Sequence, residues 1–300
     1  DFSMKIFKRV ILIVLGILLV FECYLIFSFL QGYESTKHAQ SKQTIAFNGE
    51  EAPDQNDLNI LIIGTDSRGE DRGRSDSLMI AHYDQKKEQP KLVSIMRDSY
   101  VDIPDHGKDK INAAYSYGGI ELVRKTLKEN FDIPIEYYVT IDFDHFKDAI
   151  DSLFPKGVTI DAEKDLDLDQ VYIKSGKQKM DGNTLLQYSR FREDEEGDFG
   201  RIRRQQQVLS AISQQVTSVT SLSKLPQTTG KLLGYVDTNL PESTILSVGK
   251  DFALGNTKKV ETLSIPIDKS WEFNNDTPSG SVLEIDSEVN AKAINKFLTE

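Results

Sequence analysis

The pattern of hydrophobic and polar positions divides the chain into four segments. Residues 10–30 form an apolar run of 21 residues, which as a helix is long enough to cross the roughly 30 Å hydrocarbon core of a bilayer. Residues 31–57 are polar and show no sustained periodicity. Residues 58–300 alternate apolar runs with amphipathic stretches. The pattern predicts a short segment 1–9, a transmembrane helix, a stalk and a folded domain.

The charges that flank the apolar run predict its orientation. Three basic residues precede the run, whereas Lys37 is the first basic residue after it. The positive-inside rule therefore places the N-terminus in the cytoplasm and residues 31–300 outside the cell. The run is longer than the apolar core of a secretory signal, so we predict an uncleaved single-pass anchor. Glu22, inside the run, either contacts another intramembrane chain or is tolerated in its protonated form.

The outer domain alternates short apolar runs, typical of buried strands, with helical patterns. The runs lie at residues 59–64, 78–83, 91–96, 135–141, 158–160 and 260–265. The helical patterns cover residues 119–131, 143–154, 181–188, 201–219, 244–254 and 287–298. Asp181 is placed to cap the third of these helices. The alternation predicts one layered α/β domain, since no internal repeat is present.

Charge and cysteine content narrow the class of protein. The formal net charge of −11 argues against nucleic acid as a partner, because binding to a phosphate backbone requires a basic face. The only cysteine, Cys23, lies inside the apolar run. The outer domain therefore has no disulfide and no thiol nucleophile. An exported domain of this kind is typical of a Gram-positive surface.

Arginine is distributed differently from lysine along the chain. Lysine is scattered, whereas nine of the 11 arginines fall in three short places: Arg68, Arg72 and Arg74, then Arg97, then Arg190, Arg192, Arg201, Arg203 and Arg204. The planar guanidinium fork suits phosphate and carboxylate, so this distribution predicts anion sites. The alternative for residues 190–204 is a self-neutralising surface run, because five acids share that stretch: Glu193, Asp194, Glu195, Glu196 and Asp198.

Helical phase separates the arginines of this last stretch. The apolar stripe of the predicted helix runs through Val208, Leu209, Ile212, Val216 and Val219. At about 100° per residue, Arg201 and Gln205 fall on the same inward face, whereas Arg203 points nearly opposite. The phase leaves Arg204 undecided. Polar groups that face inward at a helix N-terminus are suited to an anion, and in open α/β sheets ligands bind beyond the carboxyl ends of the strands.

Two acids accompany the arginines. Asp66 and Asp76 are predicted to lie in two turns after adjacent strands, within GTDSR and GRSDS. They either hold a Mg²⁺ ion that bridges phosphate oxygens, or Asp66 caps a turn and Asp76 pairs with Arg74. The four histidines have no metal-binding spacing, and His82 inside a strand is predicted to be a packed residue. Residues 110–112 either line a polar pocket or form a capped loop before a helix.

With these residues assembled, the chain resembles the LytR-CpsA-Psr family of bacterial cell-envelope proteins. The resemblance covers about residues 58–220 and rests on six motifs in order: NILIIGTDSR, GRSDSLMI, VSIMRDSYVDI, DKINAAYSYGG, MDGNTLLQYSRFR and EGDFGRIRRQQQ. It implies an αβα fold around a central mixed sheet, with an apolar cavity for the polyprenyl tail of a lipid-linked glycopolymer. Met96 stands where the family commonly has a proline. Past residue 220 the resemblance fades.

The resemblance also implies a site. Asp66 and Asp76 match the acids that hold Mg²⁺ (or Mn²⁺). The positions that match the family's pyrophosphate-binding residues are Arg74, Arg97, Arg190, Arg192, Arg201 and Gln205. Arg97 and Arg201 are the candidate catalytic arginines, and Asp66 and Asp98 are the candidates for the group that takes the acceptor proton.

The function implied by the resemblance is a transfer reaction. Family members are thought to move wall teichoic acid or capsular polysaccharide from a polyprenyl pyrophosphate carrier onto peptidoglycan, releasing polyprenyl monophosphate. The expected partners are the lipid-linked glycopolymer donor, the peptidoglycan acceptor and the cell membrane of a Gram-positive bacterium. Two alternatives stay open: a lipid-binding regulatory protein of the transcriptional-attenuator type, and a pyrophosphatase that releases the polymer to water with the same residues.

Overall fold

A computed structural model describes residues 2–36, 46–66, 75–168, 171–219 and 223–300. The helices are α1 (Phe2–Glu34), α2 (Ala113–Phe131), α3 (Phe143–Leu153), α4 (Gly182–Arg190), α5 (Gly197–Val219), α6 (Leu225–Tyr235), α7 (Glu242–Leu254) and α8 (Ser287–Thr299). The strands are β1 (Asp57–Thr65), β2 (Ser75–Asp84), β3 (Gln89–Ile95), β4 (Ser99–Ile103), β5 (Gly107–Lys110), β6 (Tyr137–Asp142), β7 (Val158–Ala162), β8 (Leu166–Leu168), β9 (Val171–Ile173), β10 (Gly176–Met180), β11 (Asp237–Thr238), β12 (Glu261–Ile265), β13 (Trp271–Thr277) and β14 (Gly280–Ile285).

The central sheet is mixed and has the order β11-β6-β1-β2-β3-β12. Strand β1 is parallel to β6, and β3 is parallel to β12, whereas β2 runs antiparallel to both of its neighbours. The carboxyl ends of β1, β3, β6 and β12 therefore meet at one edge, together with the amino end of β2. We call this the carboxyl edge.

Helices cover both faces of this sheet, which confirms the predicted αβα layers. On one face, Leu61 and Ile63 of β1 are fully buried in a core that includes residues of α2 and α8. On the other face lie α3, α4 and α5, which form a second core with the antiparallel strands β7 and β10. His82 is buried in β2 with its Nδ1 2.8 Å from Oδ1 of Asn59, which confirms the predicted packed histidine.

The C-terminal third completes the sheets. It supplies β12 at the edge of the central sheet, and the β13–β14 hairpin joins β4 and β5 in a second sheet. Trp271 of this hairpin packs against Phe199 of α5, with ring centroids 4.9 Å apart. The sequence pattern predicted β12, α7 and α8 here, but it missed α6 and the β13–β14 hairpin.

Helix α1 extends beyond the predicted span and contacts the domain. Its Val14–Glu34 segment is long and apolar enough to cross a membrane. Near Glu34 it packs on α6, where a Cβ atom at Gly230 would overlap the backbone of Phe29, so the close approach requires glycine. Further along the predicted stalk, the Glu50 amide donates to the carbonyl of Ile135 at 2.8 Å. The described parts of residues 31–57 therefore pack on the domain.

Candidate active site at the carboxyl edge

Arg97 lies at the centre of a charged cluster on the carboxyl edge. It follows β3, whose residues are all buried, so its backbone is fixed by the core of the sheet. Its Nη1 lies 3.1 Å from Oδ1 of Asp76, and its Nε lies 3.2 Å from Oδ2 of Asp198 and 3.8 Å from Oδ2 of Asp98. Lys110 Nζ binds the other oxygen of Asp98 at 3.0 Å. Arg97 is thus held among three carboxylates.

Arg201, on the first turns of α5, reaches the same cluster. Its Nη2 lies 3.3 Å from Oδ2 of Asp198, and its side chain is only 7% exposed. Among the described residues, no acceptor lies within hydrogen-bonding distance of its buried Nε. Burial lowers the pKa of Arg201, the charge of Arg97 lowers it further, and Asp198 opposes both. A buried guanidinium with a free donor is costly unless an anion binds it.

A second pair lies on the same edge. Asp66 follows β1, and its Oδ2 is 3.6 Å from Nη2 of Arg190 at the end of α4. The Arg190 guanidinium carbon lies 4.3 Å from the centre of the Phe143 ring, a cation–π contact that fixes its plane. Phe143 begins α3 directly after β6. The carboxyl ends of the parallel strands β1 and β6 therefore position Asp66 and Arg190.

An apolar slot lies between the sheet and the helices, directly behind Arg190. It encloses about 100 Å³, and the residues that line it are Ile62, Gly64, Ser77, Met79, Ile141, Phe143, Phe146, Leu186, Ser189, Arg190, Gln205, Val208 and Leu209. Arg190, Gln205 and Ser189 supply its polar end. Gln205 follows Arg201 by four residues on α5, so both lie on one helix face, as their phase predicts. The slot therefore places Arg190 and Gln205 beside an apolar interior.

The arginine-rich stretch separates into two groups. Arg203 is 45% exposed and pairs with Glu163 and Glu196, which confirms its predicted outward position. Arg204 is buried and donates to Asp194 at 3.2 Å and to the carbonyl of Phe191 at 2.7 Å. Arg203 and Arg204 therefore pair with nearby acids, as the alternative of a self-neutralising run predicts. Arg190 and Arg201 belong to the carboxyl edge instead. Arg192 is exposed, and its charge acts on Arg201.

Not all of the predicted site residues lie in the part of the chain that the structure describes. Arg68, Arg72 and Arg74 lie outside the described residues, so Arg74 as a pyrophosphate ligand stays a prediction. In the segment 110–112, Lys110 reaches Asp98, and Asn112 precedes α2 without a capping hydrogen bond from its side chain. Lys110 therefore belongs to the charged cluster.

Asp198 was missed as a site residue. The sequence counts it among five neutralising acids, yet its side chain is only 15% exposed and bridges Arg97 and Arg201. Its spacing of three residues before Arg201 on a helix places the two side chains together. That spacing is the signal that distinguishes it from the other four acids.

Asp66 and Asp76 are the residues predicted to hold a magnesium or manganese ion. Asp76 is the second residue of β2, so the prediction that it lies in a turn after a strand is wrong. Thr65 pairs with Ser75 across β1 and β2, so the two acids still lie at the same end of adjacent strands. Within the described residues, no group of three or more His, Cys, Asp and Glu side chains is placed to hold a metal. Two carboxylates with phosphate oxygens and water are a common shell for Mg²⁺. The residues present therefore fit an ion that binds together with a phosphate ligand.

Two related proteins are similar in sequence to this chain over most of its length. A regulatory protein MsrR of Staphylococcus aureus (strain COL) is 43% identical over 281 residues, which cover 92% of this chain and 85% of that protein. A polyisoprenyl-teichoic acid–peptidoglycan teichoic acid transferase TagU of Bacillus mycoides (strain KBAB4) is 35% identical over 208 residues, covering 68% of each chain.

Solved structures share the fold. The crystal structure of Bacillus subtilis TagV has a TM-score of 0.71 and 33% identity, and it covers 82% of this chain and 96% of that one. A LytR-CPS2A-psr family protein, YwtF (TagT), with bound octaprenyl pyrophosphate lipid has a TM-score of 0.64 and 24% identity, covering 86% and 98%. The sequence profile described as "LytR_cpsA_psr family" matches residues 24–293. The chain belongs to the LytR-CpsA-Psr family.

Proposed function

We propose that this protein is a membrane-anchored phosphotransferase that moves an anionic glycopolymer from a polyprenyl pyrophosphate carrier onto peptidoglycan. The observation that carries the proposal is the position of Arg190 and Gln205 at the polar end of an apolar slot. The Arg97–Asp198–Arg201 cluster lies on the same edge. A ligand with an anionic head and an apolar tail whose first carbons enter the slot matches this arrangement.

Two relatives support the nature of the substrate. TagU is named a polyisoprenyl-teichoic acid–peptidoglycan teichoic acid transferase, and the TagT structure holds an octaprenyl pyrophosphate lipid. Carried over to this chain, the lipid tail would enter the slot between β1, β2, α3 and α5. The pyrophosphate would then lie among Arg97, Arg190 and Arg201, with Arg192 adding positive potential. We expect Arg74 to join this group.

In the proposed reaction, a peptidoglycan hydroxyl attacks the phosphorus atom bonded to the sugar. A new oxygen–phosphorus bond forms, the bond to the bridging oxygen breaks, and polyprenyl monophosphate leaves with the negative charge. The arginines stabilise that charge, because phosphoryl transfer depends on positioning and electrostatic stabilisation. Asp66 and Asp98 remain the candidates to accept the hydroxyl proton. Each is paired with a cation, so each would have to exchange that partner during turnover.

Asp66 and Asp76 would hold the Mg²⁺ or Mn²⁺ ion. A divalent ion supplies positive charge to the pyrophosphate oxygens and to the leaving group. Asp66 is paired with Arg190, and Asp76 is paired with Arg97. These ion pairs hold both carboxylates at the carboxyl edge, beside the arginines that would bind the phosphates.

The proposed location is the cell membrane of a Gram-positive bacterium, with a cytoplasmic N-terminus and an extracytoplasmic domain. The apolar Val14–Glu34 segment of α1 and the basic residues before it support this topology. Anchor and donor would then share one membrane face. The acceptor would approach from the wall side.

A second candidate function is lipid binding without turnover, as a regulatory protein. The observation in its favour is the 43% identity to proteins named regulatory protein MsrR, a higher identity than that to TagU. Such a protein would bind donor through the same arginines and give no product. It requires no acceptor site.

Arg201→Ala tests the proposal against a matched control, Arg203→Ala, on the same helix. Arg201 is buried in the cluster, whereas Arg203 is half-exposed and paired with surface acids. We expect Arg201→Ala to lower transfer from a lipid pyrophosphate donor to peptidoglycan by roughly 100-fold or more, and Arg203→Ala to leave it within about twofold. Full transfer activity in a folded Arg201→Ala protein would contradict the proposal.

A further inference from the structure

A second cavity lies at the opposite end of the helical layer from the arginines. It encloses about 600 Å³ and is formed by the end of α3, the loop into β7, strand β10, helix α5 and the start of α6. Four lysines line it, and none of its described lining residues is acidic: the lysines are Lys156, Lys179, Lys224 and Lys231. We call it the lysine cavity.

The charge of the lysine cavity is unlike the rest of the molecule. The whole chain carries a net charge of −11, and other lysines, such as Lys110 and Lys128, pair with carboxylates. Within the part of the chain that the structure describes, none of the four cavity lysines has a carboxylate within 4.0 Å. Four like charges around one concavity repel each other, so an anion that enters lowers their energy.

The start of α6 adds to this potential. Lys224 is the residue before the helix, and its side chain makes no capping hydrogen bond. Gln227 and Thr228, in the first turn of the helix, line the cavity beside Lys224. The N-terminal end of a helix carries a partial positive charge that favours anions. The lysines and the helix end therefore act in the same direction.

The position of the cavity indicates which anion it meets. Gln227 Nε2 donates to Oε1 of Gln31 at 3.3 Å, and Thr36 Oγ1 donates to the carbonyl of Lys231 at 3.1 Å. Two lining residues of the cavity therefore contact Gln31 in the last turn of α1 and Thr36 just after it, where the apolar run ends. In the proposed topology, this is the level of the phosphate headgroups in the outer leaflet.

We propose that the lysine cavity binds the phosphate headgroup of an anionic glycerophospholipid. Free phosphate has the same chemistry, but the contact with the end of α1 places the cavity where lipid headgroups are concentrated. The inference rests on the membrane placement of α1 proposed above and not on the transfer reaction.

Headgroup binding would also orient the active site. Gln215 at the cavity follows Arg201 by 14 residues on α5, a distance of about 21 Å along the helix. When the lysine cavity is held at the headgroups, the arginines of the carboxyl edge lie about 20 Å from the cavity. The apolar slot lies between the cavity and these arginines, and it then receives a lipid tail that rises out of the bilayer.

The test uses the full-length protein in neutral detergent, with bound lipid counted by native mass spectrometry. Phosphatidylglycerol and phosphatidylcholine are added separately. The cavity variant is Lys156→Gln/Lys179→Gln/Lys231→Gln. The control variant removes the same charge from exposed lysines elsewhere: Lys125→Gln/Lys258→Gln/Lys259→Gln.

We expect the wild-type protein and the control to prefer phosphatidylglycerol over phosphatidylcholine. Each basic residue near an anionic headgroup strengthens binding roughly fivefold, so the cavity variant should bind phosphatidylglycerol at least roughly tenfold more weakly. Equal binding of phosphatidylglycerol by the cavity variant and the control would overturn the proposal. Displacement of the lipid by an equimolar amount of inorganic phosphate would overturn it too, since the site would then take free phosphate.

Different measurements test this inference and the proposed function, so the failure of one can be distinguished from the failure of the other. Lipid binding is measured without donor or acceptor, and Arg201→Ala protein should bind phosphatidylglycerol as the wild type does. Release of the full-length chain from vesicles by alkaline extraction would contradict the membrane placement itself. If the chain stays in the vesicles and the cavity variant binds phosphatidylglycerol as the wild type does, only the proposed role of the lysine cavity is contradicted.

Discussion

Arg97 and Arg201 bind the same carboxylate oxygen, Oδ2 of Asp198, at 3.2 Å from Nε of Arg97 and 3.3 Å from Nη2 of Arg201. One residue follows the third strand and the other lies on α5, more than 100 positions later in the sequence. A single acid therefore holds two guanidinium groups at one place on the carboxyl edge. It also offsets the repulsion between them.

Replacement of this acid should impair transfer while preserving the fold. Asp198→Ala removes the contact that positions both arginines, so we expect transfer to fall by roughly 10- to 100-fold, because small displacements of catalytic groups are costly. Asp198→Asn keeps an oxygen acceptor and should lose less. Transfer kinetics and circular dichroism of both variants measure this. Wild-type kinetics in Asp198→Ala would exclude a positioning role.

Arg204 should matter for stability. It is buried, and its partners are Asp194 and the carbonyl of Phe191. Arg204→Ala removes one of the two cations that pair with Asp194 and leaves the other, Lys164, at 2.8 Å, so we expect the free energy of unfolding to fall by about 1–3 kcal/mol. Arg203→Ala, on the exposed side of the same helix, should change it by about 0.5 kcal/mol or less. Thermal unfolding of the two variants provides the measurement, and equal midpoints would be inconsistent with this account.

Filling the apolar slot should affect donors according to the length of their lipid. Ser77 lines the slot, and Ser77→Leu places additional carbon atoms where the lipid tail is proposed to lie. We expect the KM for a long-chain polyprenyl donor to rise roughly tenfold and the KM for a short-chain analogue to stay the same. Ser77→Ala is the control that leaves the slot open. An equal effect of Ser77→Leu on both donors would place the tail elsewhere.

The buried histidine predicts how stability depends on pH. Burial lowers the pKa of His82 to about 4, from an ordinary value near 6.5. As pH falls below about 6.5 the unfolded chain takes up a proton that the folded chain refuses until about pH 4. The free energy of unfolding should therefore decrease across that window. His82→Gln should remove this part of the decrease. Unfolding at pH 7 and pH 5 measures it, and identical pH dependence in both proteins would refute the assignment.

Local patterns were sufficient to predict much of the fold and part of the site. The apolar runs identified six strands, and the phase of α5 placed Arg201 and Gln205 inward and Arg203 outward. These features depend on periodicity within one element. The sequence also placed Asp66 and Arg97 after strands, where the structure has them, whereas Asp76, expected in a turn after a strand, is the second residue of β2.

The remaining features depend on partners that are distant in sequence. Arg204 is buried because Asp194 and Phe191 cover it, and nothing in its own position on the helix reveals this. The β13–β14 hairpin is largely exposed, so it lacks the apolar alternation that identifies a buried strand. The lysine cavity combines residues from α3, β10 and α6, which only the assembled fold brings together.

The central claim is that the chain transfers a polymer to an acceptor. The most direct measurement uses purified full-length protein, a donor with separate labels in its lipid and its polymer, and peptidoglycan added or withheld. We predict that labelled polymer becomes attached to peptidoglycan and that polyprenyl monophosphate appears in equal amount, only when peptidoglycan and Mg²⁺ are both present. Release of the polymer without acceptor, or tight binding of the donor with no product, would contradict that claim.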